Sequence, residues 1–223
     1  AEIDALMASH GFGQKGDIIQ CAFTCDFSSF DFVPTTSFVP VPTFYGSKLE
    51  GYAFPETYAV NISPYTPKFF LERMFGEFRQ RIIEEYRSEI ASSGHTIHDL
   101  VIMASLVEEE SRHDDERAII AGILWKRLKN HVVLGVDAVN RYEAGKKTEP
   151  LLKKELETLT PYNSRRTQGL PPTPITNPSE ESFVAALRPK DSPYWYYLHD
   201  KNGGIHFAVT NEEHNQNKYR YLR

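Results

Sequence analysis

The chain has 223 residues, 40% hydrophobic and 25% charged, with a formal net charge of −5. That is globular composition, long enough for one large domain or for one domain with a small appendage. The acidic balance argues against general capture of nucleic-acid phosphates, which needs a basic surface, and no apolar stretch is long enough to span a membrane.

The opening AEIDALMASHGF reads like the middle of a helix and carries no signal-peptide pattern, so the native protein is expected to extend upstream. Ile3, Leu6 and Met7 give that helix an apolar face. Residues 21–46 are rich in aromatics, Ser, Thr and Pro, and predict short irregular elements. Cys21 and Cys25 are the only cysteines. Two cysteines make neither a disulfide framework nor a four-ligand zinc site, and two partly buried thiols are expected, with pairing open in an oxidising compartment.

LEGYAFPETYAV reads as a strand or turn with a proline break. Thr66 and Pro67 then open a long amphipathic helix over 67–91, marked by Phe70, Met74, Phe78, Ile82 and Tyr86. A second helix starts at Thr96, where Asp99 completes a capping box. Apolar residues from Ile97 to Val107 cover nearly all its faces, which predicts a central, buried helix. A third helix runs over 115–130. A short apolar piece, an acidic-basic surface stretch and a proline-rich loop lead to a helix beginning at Ser179 or Glu180. The chain closes with PYWYYLHD and IHFAVT around Asn-Gly-Gly, a predicted β-hairpin. The expected fold class is α+β, mainly helical with a small antiparallel β element.

Three constellations carry chemistry. The buried helix ends in Glu108, Glu109 and Glu110. At about 100° per residue these cannot share a face: Glu108 extends the stripe of Val101 and Ala104, Glu110 extends that of Met103 and Leu106, and Glu109 is expected to face water. A carboxyl on a desolvated face has its pKa raised and can hold a proton near neutral pH for general acid catalysis. Spacing alone leaves Glu108 and Glu110 as alternatives, and ion-paired or solvated glutamates as a third reading. The second constellation is YNSRRTQGLPPTPITNP. Its four prolines from Pro171 to Pro178 pre-set the loop, and Asn163, Thr173, Thr176 and Asn177 offer hydrogen bonds suited to sugar hydroxyls and acetamido groups. It serves equally as a rigid structural cap. The third is His199, His206 and His214 with Asp200, Glu212 and Glu213. Their spacing matches no compact metal motif, and no metal or cofactor is expected. No G-x-S-x-G elbow or phosphate-binding glycine loop is present.

Taken together, these segments resemble the YceG/MltG-like family of endolytic murein transglycosylases. LEGYAFPETY (49–58) resembles its LEGYLFPDTY element and ASLVEEES (104–111) its A-S-I-V-E-x-E helix. ERAIIAGILWKRL (116–128), LGVDAVNRY (134–142), the 160–179 loop and GGIHFAVTNEEHN (203–215) are similar to the segments that follow, in the same order. Departures are Ala138 for a proline, Val136 for a small polar residue, and a shortened 145–160 stretch. The resemblance implies a lysozyme-like catalytic domain over 46–223 and a small LysM-like remnant over 1–45. It implies cleavage of the MurNAc–GlcNAc bond of glycan strands to give 1,6-anhydro-MurNAc ends. The first glutamate of its V-E-x-E motif falls on Glu108 as the single catalytic acid and base. Glu110, Asp137, Tyr162, Asn163, Thr173, Asn177, His206, Glu213 and His214 are then expected to bind or orient the sugar. A membrane anchor upstream, action on the extracytoplasmic face, and coupling to glycan polymerases or penicillin-binding proteins are implied as well. The competing reading is a peptidoglycan-binding scaffold without turnover.

Overall fold

The computed structural model describes residues 1–34, 49–60 and 65–222. The fold is α+β: helices enclose one core, and a two-stranded antiparallel sheet lies at the C-terminal end.

The N-terminal piece is a helical pair, α1 (Glu2–Ser9) and α2 (Asp17–Thr24). Asp4 is 2% exposed, and its carboxylate accepts the backbone N–H groups of Gly16, Ile18 and Ile19. This places a negative charge on the unpaired N–H groups at the start of α2. Cys21 and Cys25 form a disulfide across the end of α2, so the expected free thiols are not present. Met7, Ile18, Phe27 and Phe32 belong to the same apolar cluster as Phe75 and Phe78, with Phe27 edge-on to Phe75 at 5.1 Å. Residues 1–34 therefore share the main core; the boundary expected near residue 46 lies outside the described residues.

LEGYAFPETYAV opens in turns at 49–52 and continues without regular structure through 60, so no strand forms there. Gly51 has φ +89°, and a Cβ there would lie 2.6 Å from Pro174, so this turn packs backbone-close against the proline-rich loop. The helix expected over 67–91 is broken into three parts: α3 (Pro67–Phe78), a π-helical segment (Arg79–Glu84) and α4 (Arg87–Ser92). Thr66 caps α3 as expected, accepting from Phe69 N–H. Buried Phe70, Met74, Phe78 and Ile82 run through the first two parts.

The central helix is α5 (Ile97–Glu110), with the Thr96–Asp99 capping box in place. Every residue from Leu100 to Val107 is buried. Full burial of each large apolar side chain contributes about 1.5–3 kcal/mol. Against α5 pack α6 (Asp114–Lys129) and α9 (Glu180–Leu187), which Ser179 caps. Between them lie α7 (Asp137–Ala144), α8 (Lys153–Glu157) and the proline-rich loop.

The hairpin is β1 (Tyr196–His199) and β2 (Ile205–Ala208), paired Tyr196 with Ala208 through His199 with Ile205. A further helix, α10 (Asn211–Tyr221), follows and packs on both strands. Side chains of α6 hold the hairpin in place. Arg127 donates to the Trp195 carbonyl at 2.9 Å and to the Leu134 carbonyl at 2.5 Å. His199 Nε2 lies 3.0 Å from the buried Glu116 carboxylate.

Candidate active site

Three adjacent glutamates leave the end of α5 in three directions, and their surroundings set three different proton affinities.

Glu108 turns toward the start of α9. Its Oε2 accepts the Ser179 backbone N–H at 3.0 Å and the Ser179 hydroxyl at 2.5 Å. Arg117 stands behind, its Nε donating to the Ser182 hydroxyl at 3.1 Å. Burial alone would raise the Glu108 pKa. The donors at Ser179 and Ser182, with the Arg117 charge, outweigh it, and the net shift is downward. The expectation that Glu108 keeps its proton is therefore corrected: it is a carboxylate anchored at the positive end of a helix.

Glu109 is exposed, as its helical position implies. Partial desolvation and the neighbouring Glu108 charge move its pKa up, against a hydrogen bond from Thr176.

Glu110 turns the opposite way from Glu108. Its Oε2 accepts the Tyr197 hydroxyl of β1 at 2.9 Å. Burial pushes its pKa up to about 7; the Tyr197 hydrogen bond and Arg141 oppose this, and the negative charges of Asp137 and Glu109 reinforce it. Such a group exchanges a proton near neutral pH, the property a general acid–base needs.

Glu109 and Glu110 line a cavity of about 550 Å³. Its walls come from α1, α2, the Leu49–Ala53 turn, α7 and residues 175–177 of the proline-rich loop. Glu2, Asp4 and Glu50 add further carboxyls, that of Glu50 with its pKa raised by burial, and Arg141 adds a guanidinium. Glu108 does not line this cavity.

The expected sugar-contacting residues divide. Asn177 lines the cavity, and its Oδ1 accepts Gly51 N–H at 2.9 Å. Asp137 begins α7 and pairs with Arg165 at 2.7 Å, close enough in charge to influence Glu110. The rest are engaged in the fold. The Tyr162 hydroxyl lies 2.8 Å from the Thr173 hydroxyl, and both residues are buried. Asn163 has no exposed surface; its Nδ2 donates to the carbonyls of Glu155, Leu156 and Thr158 and its Oδ1 accepts Arg165 N–H. Tyr162, Asn163 and Thr173 therefore fasten the loop, and none of them lines this cavity. Buried polar groups in an irregular loop must find partners, and here they find one another and the backbone.

The C-terminal residues are likewise used structurally. His206 lies 2.9 Å from Asp200 and stacks on Tyr221 at 3.5 Å. Glu213 accepts the N–H groups of Val209 and Thr210 as the reciprocal arm of the α10 capping box. His214 stacks on Tyr196, and burial, then Lys218 and Arg127, lower its pKa to about 4. None of the three lines the cavity. Sequence reasoning missed Glu50, Arg141 and Tyr197. Glu50 sat inside a recognised motif, whereas Arg141 and Tyr197 gave no local signal. Among the described residues no cluster of three or more His, Cys, Asp or Glu side chains could hold a metal ion.

The chain is 37% identical over 174 residues to an endolytic murein transglycosylase of Bacillus subtilis, covering 78% of this chain and 48% of that protein. It is 29% identical over 176 residues to a protein of the same name from Streptococcus pneumoniae, covering 76% of this chain and 32% of that one. The chain thus spans half or less of the length of these relatives. A crystal structure of a yceG-like protein from Listeria monocytogenes superposes with a TM-score of 0.83 at 30% identity, covering 96% of this chain and 70% of that one. The model of the YceG-like family matches residues 3–220, nearly the whole sequence, and the chain belongs to that family.

Proposed function

We propose that this chain is the catalytic part of an endolytic lytic transglycosylase that cuts the MurNAc–GlcNAc bond of peptidoglycan, with Glu110 as its single acid and base. The observation that carries the reading is Glu110 itself: a carboxyl with a pKa of about 7, held by Tyr197, on the wall of a cavity large enough for sugar rings. The relatives named above support the substrate class. The family motif points to Glu108 as the acid; the lowered pKa of Glu108 and its engagement with Ser179 favour Glu110 in that role.

The chemistry needs one carboxyl. Ordinary glycosidases flank the scissile bond with two, one of them serving as nucleophile or base. In the proposed reaction the C6 hydroxyl of MurNAc is the nucleophile. Protonated Glu110 gives its proton to the leaving glycosidic oxygen as the C1–O bond breaks. The Glu110 carboxylate then takes the C6 hydroxyl proton as O6 bonds to C1, which closes the 1,6-anhydro ring and restores the acid. Attack within one ring carries a high effective concentration. Asn177 and Asp137 orient the sugar and the acid. The arrangement is lysozyme-like in that a buried helix delivers a carboxyl to a cleft beside a small sheet. Action at the extracytoplasmic face, an upstream anchor and coupling to glycan polymerases or penicillin-binding proteins belong to the same proposal and rest on the family resemblance. Among the described residues no helix is long and apolar enough to cross a membrane.

The test is digestion of purified peptidoglycan followed by mass spectrometry. Anhydro-MurNAc ends are expected. Reducing ends would make the enzyme a hydrolase, and intact strands would leave a binding module.

A further inference from the structure

The cavity contains three basic side chains, and they differ in how they are engaged. Lys146 pairs with Glu155 at 2.6 Å, and Lys147 pairs with Glu2. The Arg141 side chain, on α7, makes no ion pair or hydrogen bond among the described residues, and its Nε is buried without a partner. This is unusual. A buried donor left unmatched costs about 1–3 kcal/mol, and such exceptions mark sites that something else completes.

Arg141 has carboxyls in the same cavity that do not pair with it. Glu110 is turned to Tyr197 and Glu109 toward Thr176. Glu110, its pKa pushed up to about 7, is only partly charged near neutral pH, and partial desolvation moves the Glu109 pKa up as well. The guanidinium is thus a planar, permanently charged fork on the wall that also carries the acid.

On the proposed reading, the ring cleaved beside Glu110 is MurNAc. That sugar differs from GlcNAc by its lactyl ether, which ends in a carboxylate or continues into a peptide stem bearing carboxylates. A carboxylate is the ligand a guanidinium fork binds best, through two parallel hydrogen bonds. We propose that Arg141 is a specificity residue that receives a carboxylate carried on the lactyl substituent of MurNAc, and so selects MurNAc over GlcNAc at the ring next to Glu110. This rests on the function proposed above and adds to it a named anion-recognition point.

The test measures binding to the Glu110→Gln form of the chain, so that no ligand is consumed. Three ligands are titrated by calorimetry: peptide-bearing glycan strands, strands stripped by an amidase to free lactyl carboxylates, and GlcNAc oligomers. Adding Arg141→Gln is expected to weaken binding of at least one anionic ligand about tenfold or more and to leave GlcNAc oligomers unchanged; Arg141→Lys, which keeps charge but loses the fork, falls between. Loss on stripped strands assigns the lactyl carboxylate, and loss confined to peptide-bearing strands assigns the stem. Equal weakening of all three ligands, or no weakening of either anionic one, overturns the role of Arg141. If the Glu110→Gln chain with Arg141 intact binds none of the three, the proposed function itself fails. Thermal melting of each variant confirms that it is folded.

Discussion

Ser179 grips the Glu108 carboxylate twice, through its backbone N–H at 3.0 Å and its hydroxyl at 2.5 Å, while the same hydroxyl accepts Ser182 N–H as the cap of α9. One serine thus joins the end of the central helix to the start of its main packing partner. Glu110 leaves the same helix two residues later, toward Tyr197.

Glu108→Gln is therefore expected to act chiefly on stability. It replaces a charge-assisted acceptor at a helix N-terminus with a neutral one, and a loss of about 1–3 kcal/mol follows. Urea denaturation measures it. Because the folded-state pKa of Glu108 is lowered, its contribution is present above the unfolded value of about 4.5 and is lost as pH falls through the folded one. The difference between wild type and variant should shrink in acid; a difference that grows there would contradict this assignment.

Glu110 has the opposite sign. Between about pH 4.5 and 7 the unfolded chain releases this proton while the folded chain keeps it, so stability falls as pH rises across that window. Glu110→Gln removes the penalty. Its stability relative to wild type should rise across the same window, by an amount on the order of 3 kcal/mol. Denaturation curves at pH 4.5 and 7.5 with the same offset would refute the raised pKa.

Tyr197→Phe removes the hydrogen bond that stabilises the Glu110 carboxylate. The Glu110 pKa should then move further up, and the alkaline limb of the rate profile, set near pH 7 in the wild type, should shift to higher pH. kcat should fall at the same time, since the carboxyl loses its orienting partner. A lower rate with an unmoved limb would mean that Tyr197 shapes the cavity without tuning the acid.

Asn163→Ala leaves the Glu155, Leu156 and Thr158 carbonyls without the amide that now bridges them. A loss of about 2–4 kcal/mol is expected, the range for breaking a buried network. Glycan affinity of the folded variant should be unchanged; a selective loss of affinity with stability intact would return Asn163 to the substrate.

Much of the frame was legible in the residues. Thr66, the Thr96–Asp99 box, Ser179 and the Asn-Gly-Gly turn are local signals, and local hydrogen bonds enforce them. The final helix escaped because it is polar and has no apolar stripe, although Thr210 and Glu213 spell its capping box. The disulfide is a matter of helix geometry at Cys21 and Cys25 that a count of cysteines cannot supply. At the site, 100° per residue showed that the three glutamates diverge. Which of them meets a cavity depends on Ser179 and Tyr197, 71 and 87 residues from their partners. That information lies in packing. The same holds for the loop polars: Tyr162, Asn163 and Thr173 have chemistry suited to sugars, and in this structure the hydrogen bonds they make are to one another and to the loop backbone.

The most direct measurement compares Glu110→Gln and Glu108→Gln on purified peptidoglycan at pH 6, counting anhydro-MurNAc ends released by each folded variant. Glu110→Gln should lose at least about a hundredfold in rate, the contribution of a positioned acid–base, and Glu108→Gln should stay within about tenfold of wild type. An active Glu110→Gln beside an inactive, folded Glu108→Gln would contradict the account.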